Sequence, residues 1–128
     1  MKKRILFLAL LIVSTSAGAD SATDAAFQNL ADEYIGDLTS LSPVNATLIG
    51  DHSADGELDR VDDAARAEVL DLLKQYKAAL DALDFEELSI ANQVDADLLL
   101  HDIESNIWSM EDLREWAWNP LYYVNIAG

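Results

Sequence analysis

No cysteine occurs anywhere in the sequence, which excludes a disulfide framework and a lipid attached through a thiol. With only two histidines, a dedicated zinc site is also poorly supplied. Basic residues are scarce. Eight Lys and Arg stand against 24 Asp and Glu, and three of the eight, Lys2, Lys3 and Arg4, sit at the start. Nucleic acid and anionic membrane surfaces would repel such a chain, so neither is an expected partner. Two prolines and five glycines leave little to interrupt helices, and no segment alternates apolar and polar residues with period two, so strands are not expected. A Gly-rich phosphate loop, a Gly-x-Ser-x-Gly turn and a His-Glu-x-x-His segment are all missing, and with them the parts of the common nucleotide-binding and hydrolase sites. The longest apolar run covers nine residues, Ile5 to Val13, about half of the ~20 that span a bilayer.

That run fits another use. Preceded by Lys2-Lys3-Arg4 and followed by small residues ending Ala17-Gly18-Ala19, it reads as a secretory signal peptide, residues 1–19, cleaved after Ala19. The mature part, residues 20–128, would be periplasmic or secreted and free of the membrane. It keeps five basic residues against 24 acidic ones, a formal charge of −19. Such acidity fits solubility, cation binding or a halophilic habitat. Apolar residues make up 51% of the sequence and recur periodically, which excludes a disordered acidic tail.

The periodicity is helical. Phe27, Leu30, Tyr34, Leu38 and Leu41 mark one amphipathic helix ending near Leu41, with Ser21, Thr23 or Asp24 available as its N-cap. Ser42-Pro43 then reads as the cap and first turn of a short helix that Gly50 stops. Asn45-Ala46-Thr47 within it is a formal glycosylation sequon, incidental in the bacterial chain that the short Lys2-Lys3-Arg4 start implies. Residues 50–62 are rich in turn formers and charge and read as an exposed loop. Val69, Leu72, Leu73, Tyr76, Leu80 and Leu83 predict a second long helix over 62–83. A third should run from its cap Ser89 to Ala117, before Asn119-Pro120 turns the chain into an extended or turning segment. The fold class is therefore all-α, with a long antiparallel helical hairpin around residues 85–88.

The third helix would be roughly 43 Å long at 1.5 Å per residue, more than a compact domain of about 100 residues accommodates. It also has two apolar sides, Val94, Leu98 and Trp108 on one and Leu99, Ile103, Ile107 and Met110 on the other. One hairpin partner cannot cover both, so another subunit or more of the same chain is expected there.

Chemistry-bearing patterns are few. In "DHSADGELDRVD", oxygen-bearing side chains occupy loop positions one, three, five, nine and twelve: Asp51, Ser53, Asp55, Asp59 and Asp62. Gly56 stands at six, where the turn is sharp, and Glu57 at seven can offer its carbonyl. A hard cation wants six to eight oxygens, and this is the spacing of a calcium loop. The twelve residues resemble a dockerin loop, which also ends in Asp, but dockerins carry two copies and only one is present. The plainer reading is an acidic turn in which Asp59 and Asp62 cap the following helix. His101 has Asp97 and Glu104 within one helical turn, a weak metal pattern that is more simply a solvated polar face. The adjacent acids Glu86-Glu87 and Asp62-Asp63 point to different helix faces and read as solvated charge rather than an acid/base couple. Trp108, Trp116, Trp118, Tyr122 and Tyr123 could line a sugar- or peptide-binding surface; at helical spacing, core packing is the commoner use.

Taken in order, "FQNLADEYIGDLTSLSPVNATLIGDHSADGELDRVD", "NQVDADLLLHDIES" and "WNPLYYV" resemble the beginning of the bacterial "domain of unknown function eight-eight-five" family, whose members resemble secreted zinc metallopeptidases. The most specific pieces are Ser42-Pro43, Ala46-Thr47, Gly50-Asp51-His52, Asp55-Gly56 and Trp118-Asn119-Pro120. The resemblance implies a mainly helical chain several times this length, with zinc and its His-Glu ligands far toward the C-terminus and a peptide-like substrate. No catalytic residue carries over to any position here. The implied role is that of a non-catalytic N-terminal helical fragment whose partner is the missing catalytic part. The alternative expectation is a small calcium-binding module using Asp51, Ser53, Asp55, Glu57, Asp59 and Asp62. A third is a helical oligomer that buries the Trp/Tyr tail.

Overall fold

The computed structural model describes residues 22–126, so the signal-peptide reading and its cleavage site lie outside the described residues. Among the described residues there is no strand, and the fold is all-α. Three long helices form the body: α1 (Ala22–Leu41), α3 (Asp63–Asp81) and α4 (Ile90–Trp108). Short helices follow α1 and α4: α2 (Pro43–Leu48), α5 (Glu115–Trp118) and α6 (Leu121–Ile126).

α1 turns Phe27 and Tyr34 inward, 3% and 4% exposed, with Leu30, Ala31 and Leu38 packed beside them. α3 contributes Leu73, Tyr76 and Leu80, and α4 contributes Ala96 and the fully buried Ile103. These positions recur every three or four residues, so each helix lays one apolar stripe on a shared core. The Tyr34 and Tyr76 rings meet edge to face, 5.3 Å between centroids. Helix directions follow from the polar contacts. Lys77 bridges to Glu104 while Lys74 reaches Glu111, so α3 and α4 run antiparallel. A 3-10 turn, Phe85–Glu87, joins them, and the expected hairpin is present. Tyr76 on α3 donates to Asp37 on α1 (2.6 Å), and Asp24 near the start of α1 meets the start of α4. α1 therefore runs parallel to α4 and antiparallel to α3.

Capping agrees with the sequence in part. Asp62 caps α3, accepting from Ala65 N (2.7 Å), and Ser89 caps α4 through Asn92 N at a longer 3.4 Å. Thr23 and Asp24, two of the expected cap candidates, lie inside α1, and Ser21 lies outside the described residues. Asp24 is 4% exposed, and its Oδ1 accepts from Ser89 N (2.8 Å) and Asn92 Nδ2 (2.7 Å), so a carboxylate on α1 serves the N-cap N–H and a first-turn side-chain amide of another helix. Pro43 opens α2 as expected, but the Ser42 side chain does not cap it. Its hydroxyl donates to Asp59 instead (2.8 Å).

The expected helix to Ala117 is not formed. α4 ends at Trp108 after 19 residues, about 28 Å of rise, and passes into a π-helical turn, Ser109–Leu113. There the Arg114 N–H bonds to Ser109 O (2.8 Å), and Arg114 takes the left-handed conformation (φ 52, ψ 45), which costs a non-glycine residue about 1–2 kcal/mol. Contacts made by the reversed chain offset that cost. Trp116 lies under the guanidinium groups of Arg66 (4.2 Å) and Arg114 (5.0 Å), and Trp118 Nε1 donates to Leu113 O (2.9 Å). The expected projecting helix is thereby replaced by one of 19 residues. Pro120 lies in a turn, one of the two expected forms; the chain then forms a further short helix, α6, and the Asn119 side chain accepts from Leu121 N (3.0 Å).

Candidate functional site

The acidic loop between α2 and α3 leaves α2 through Gly50, whose φ of +98 suits glycine and few other residues. Its side chains divide into two groups. At the exposed tip, Asp51 Oδ1 accepts from Ser53 N (2.9 Å), and hydrogen bonds from Ser53 hold the Asp51 carboxyl below the usual range. Asp55 accepts from Thr47 Oγ1 (2.8 Å) and lies 3.2 Å from His52 Nδ1; the Thr47 hydrogen bond, then that of His52, depresses its pKa. Ser53 and Glu57 are exposed. At the base, Asp62 caps α3 and Asp59 reaches back to α2, accepting from Ser42 Oγ (2.8 Å) and Val44 N (3.0 Å). The sequence placed Asp59 as a cap of the helix that follows; it caps the one that precedes. The latch turns the loop back over the start of α2 and fixes its base.

Of the six positions of the calcium spacing, Asp51, Asp55, Asp59 and Asp62 thus accept from Ser53, Thr47, Ser42 and Ala65 respectively. Among the described residues, no three His, Cys, Asp or Glu side chains are grouped so as to hold a metal ion. Nothing in this arrangement favours the calcium loop over the acidic turn. His101 is exposed on the outer face of α4, and Glu104 beside it accepts from Lys77 Nζ (3.0 Å).

A cavity of about 280 Å³ lies where α1, α2 and α3 meet the end of α4. Tyr34, Asn45, Arg66, Asn106, Ser109 and Tyr122 line it. The Tyr34 hydroxyl is buried and has no well-formed hydrogen bond among the described residues; burial, then the charge and the weak hydrogen bonding of the nearby Asp102 carboxylate, pushes its pKa up to about 12. Arg66 is not a free cation there, since it donates to Asp63 and to the Val61 carbonyl and covers Trp116. Ser42 and Asp59 also line it, and the hydrogen bond between them there is the latch of the loop.

The aromatic tail is only partly core. Trp116 and Tyr122 are half-buried, while Trp108 and Trp118 are 54% and 62% exposed. Core packing therefore takes in part of the cluster: Trp108 lies on the outer side of α4, and Trp118 follows the break at Arg114. α4 shows the larger exposure. Leu99, Ile103, Ile107 and Met110 belong to the core, whereas Ile90, Val94, Leu98 and Trp108 on the other side face solvent. No described helix is long and apolar enough to cross a membrane.

No protein-family model matches the chain, and no curated protein or solved structure matches it significantly.

Proposed function

We propose that this chain is the non-catalytic N-terminal helical part of a secreted or periplasmic metallopeptidase-like protein, and that its helices form a platform for a catalytic part. The observation that carries the reading is α4, which is apolar on two opposite sides while α1 and α3 cover one of them. Burying apolar surface contributes about 25 cal/mol per Å², so a row of large exposed side chains along one helix is what an uncovered packing face presents. The ordered motifs from Phe27 to Val124 support the family resemblance, and the peptide-like substrate and zinc of the parent come from that resemblance alone. The zinc ligands would lie in a His-Glu segment beyond Gly128, and no position of this sequence is assigned to them.

The test is the DNA downstream of the Gly128 codon. The expected result is an open frame of several hundred codons encoding a helix with zinc-ligand His and Glu. A stop codon directly after Gly128 would sink the reading.

A further inference from the structure

The outer face of α4 has a charge pattern as well as an apolar one. At about 100° per residue, Ile90, Val94, Leu98 and Trp108 fall within an arc of roughly 80° of the helix, which they share with His101 and Ser105. Carboxylates border that arc on both sides: Asp95 and Asp102 along one edge, Asp97 and Glu104 along the other. The cleft where Phe27, Gln28 and Asp32 meet Asn92, Asp95 and Leu99 places the first edge toward α1. The Lys77–Glu104 bridge places the second toward α3. Neither α1 nor α4 contains a single Lys or Arg. The basic residues after Arg4 are Arg60, Arg66, Lys74, Lys77 and Arg114, all on the loop, α3 and the turn after α4.

An apolar stripe between two anionic edges selects its occupant. A second copy of this face in an isologous contact would press Asp against Asp, and an anionic lipid surface meets the same repulsion. A helix of about the same length, with an apolar seam and basic residues beside it, would satisfy both features.

We infer that the outer face of α4 is the seat of one amphipathic helix whose apolar seam is flanked by Lys and Arg, supplied by the catalytic part of the same protein. The source of that helix rests on the function proposed above; its chemistry rests on α4 and its edges alone.

The test uses the whole chain and a fluorescein-labelled helical peptide of about 18 residues with Leu along the seam and Lys at the flanking positions, followed by anisotropy. Peptides with Gln or Glu in place of Lys are its controls. The expected result is saturable binding of the Lys peptide, at least ten-fold weaker binding of the Gln peptide and none of the Glu peptide. Asp95→Asn, Asp97→Asn and Asp102→Asn together should weaken the Lys peptide about ten-fold. Leu98 is 63% exposed, so Leu98→Asp leaves the core intact, which circular dichroism checks, and it should weaken binding more than ten-fold. General attraction of a polycation to an acidic chain would respond in the opposite sense, because that variant adds negative charge. Unchanged or tighter binding to Leu98→Asp, or equal affinity for the Lys and Gln peptides, overturns the inference. A stop codon after Gly128 combined with specific peptide binding would instead overturn the proposed function and the source of the helix, leaving the chemistry of the face in place.

Discussion

Replacing Asp24 by Ala removes a single carboxylate that ties the start of α1 to the start of α4. Asp24 is 4% exposed and Asn92 7%, so Asn92 Nδ2, which donates to it, has little access to water once it is gone, whereas Ser89 N belongs to an exposed residue. A buried donor left unsatisfied costs about 1–3 kcal/mol and the lost Ser89 hydrogen bond about 1 kcal/mol, so a loss of about 3 kcal/mol is expected. Ser89 cannot compensate, because its own hydroxyl reaches only Asn92 N, at 3.4 Å. A domain of about 100 residues has about 5–15 kcal/mol of stability, so the variant should stay folded at room temperature while its Tm falls by about 12–24 °C. Urea unfolding followed by far-UV circular dichroism should show a lower midpoint with an unchanged slope. Asp24→Asn, which keeps an acceptor oxygen, should lose about half as much. A double-mutant cycle with Asn92→Ala should give a coupling of about 1–2 kcal/mol. A loss under about 1 kcal/mol for Asp24→Ala, or strict additivity with Asn92→Ala, would refute the tie.

Ile103→Ala, at the fully buried centre of α4, should cost about 2–5 kcal/mol, whereas Leu98→Ala on the outer face should stay within about 0.5 kcal/mol; equal losses in urea melts would mean the two sides of α4 have been exchanged. Asp59→Ala should destabilise by about 1–2 kcal/mol and speed trypsin cleavage after Arg60 as the loop is released from α2, and an unchanged cleavage rate would count against the latch. Burial pushes both Tyr34 and Tyr76 up to about 12, aided by the Asp102 charge at Tyr34 and by the Asp37 hydrogen bond at Tyr76. An unfolded chain releases those protons near pH ~10, so stability is intact below about pH 10 and falls as pH rises toward 12. Absorbance titration of the folded chain should show the Tyr34 and Tyr76 phenols ionising late, with Tyr122 also held above its ordinary value by burial, and a single transition of every tyrosine near pH ~10 would contradict the packing.

Helix positions were legible because burial repeats every 3.6 residues in the amino-acid order itself. Phe27 to Leu38 and Val69 to Leu80 can form no other regular element that hides them together. Asp62 and Ser89 could be recognised as caps because a cap bonds within three residues of itself. Asp24 and Asp59 could not be placed, since their partners belong to other elements, and a carboxylate beside a turn has the same local appearance whichever helix end it serves. The end of α4 was misread for a related reason. Trp108 and Trp116 continue an apolar helical rhythm, while the contact of Trp116 with Arg66 on α3, which no local pattern shows, helps to favour the left-handed Arg114 that breaks it. Sequence periodicity showed that α4 is apolar on two sides. Tertiary structure decided which side is inside: α1 and α3 both pack over Leu99, Ile103 and Ile107, so Ile90, Val94 and Leu98, on the opposite side of the same helix, are left facing outward between two rows of carboxylates.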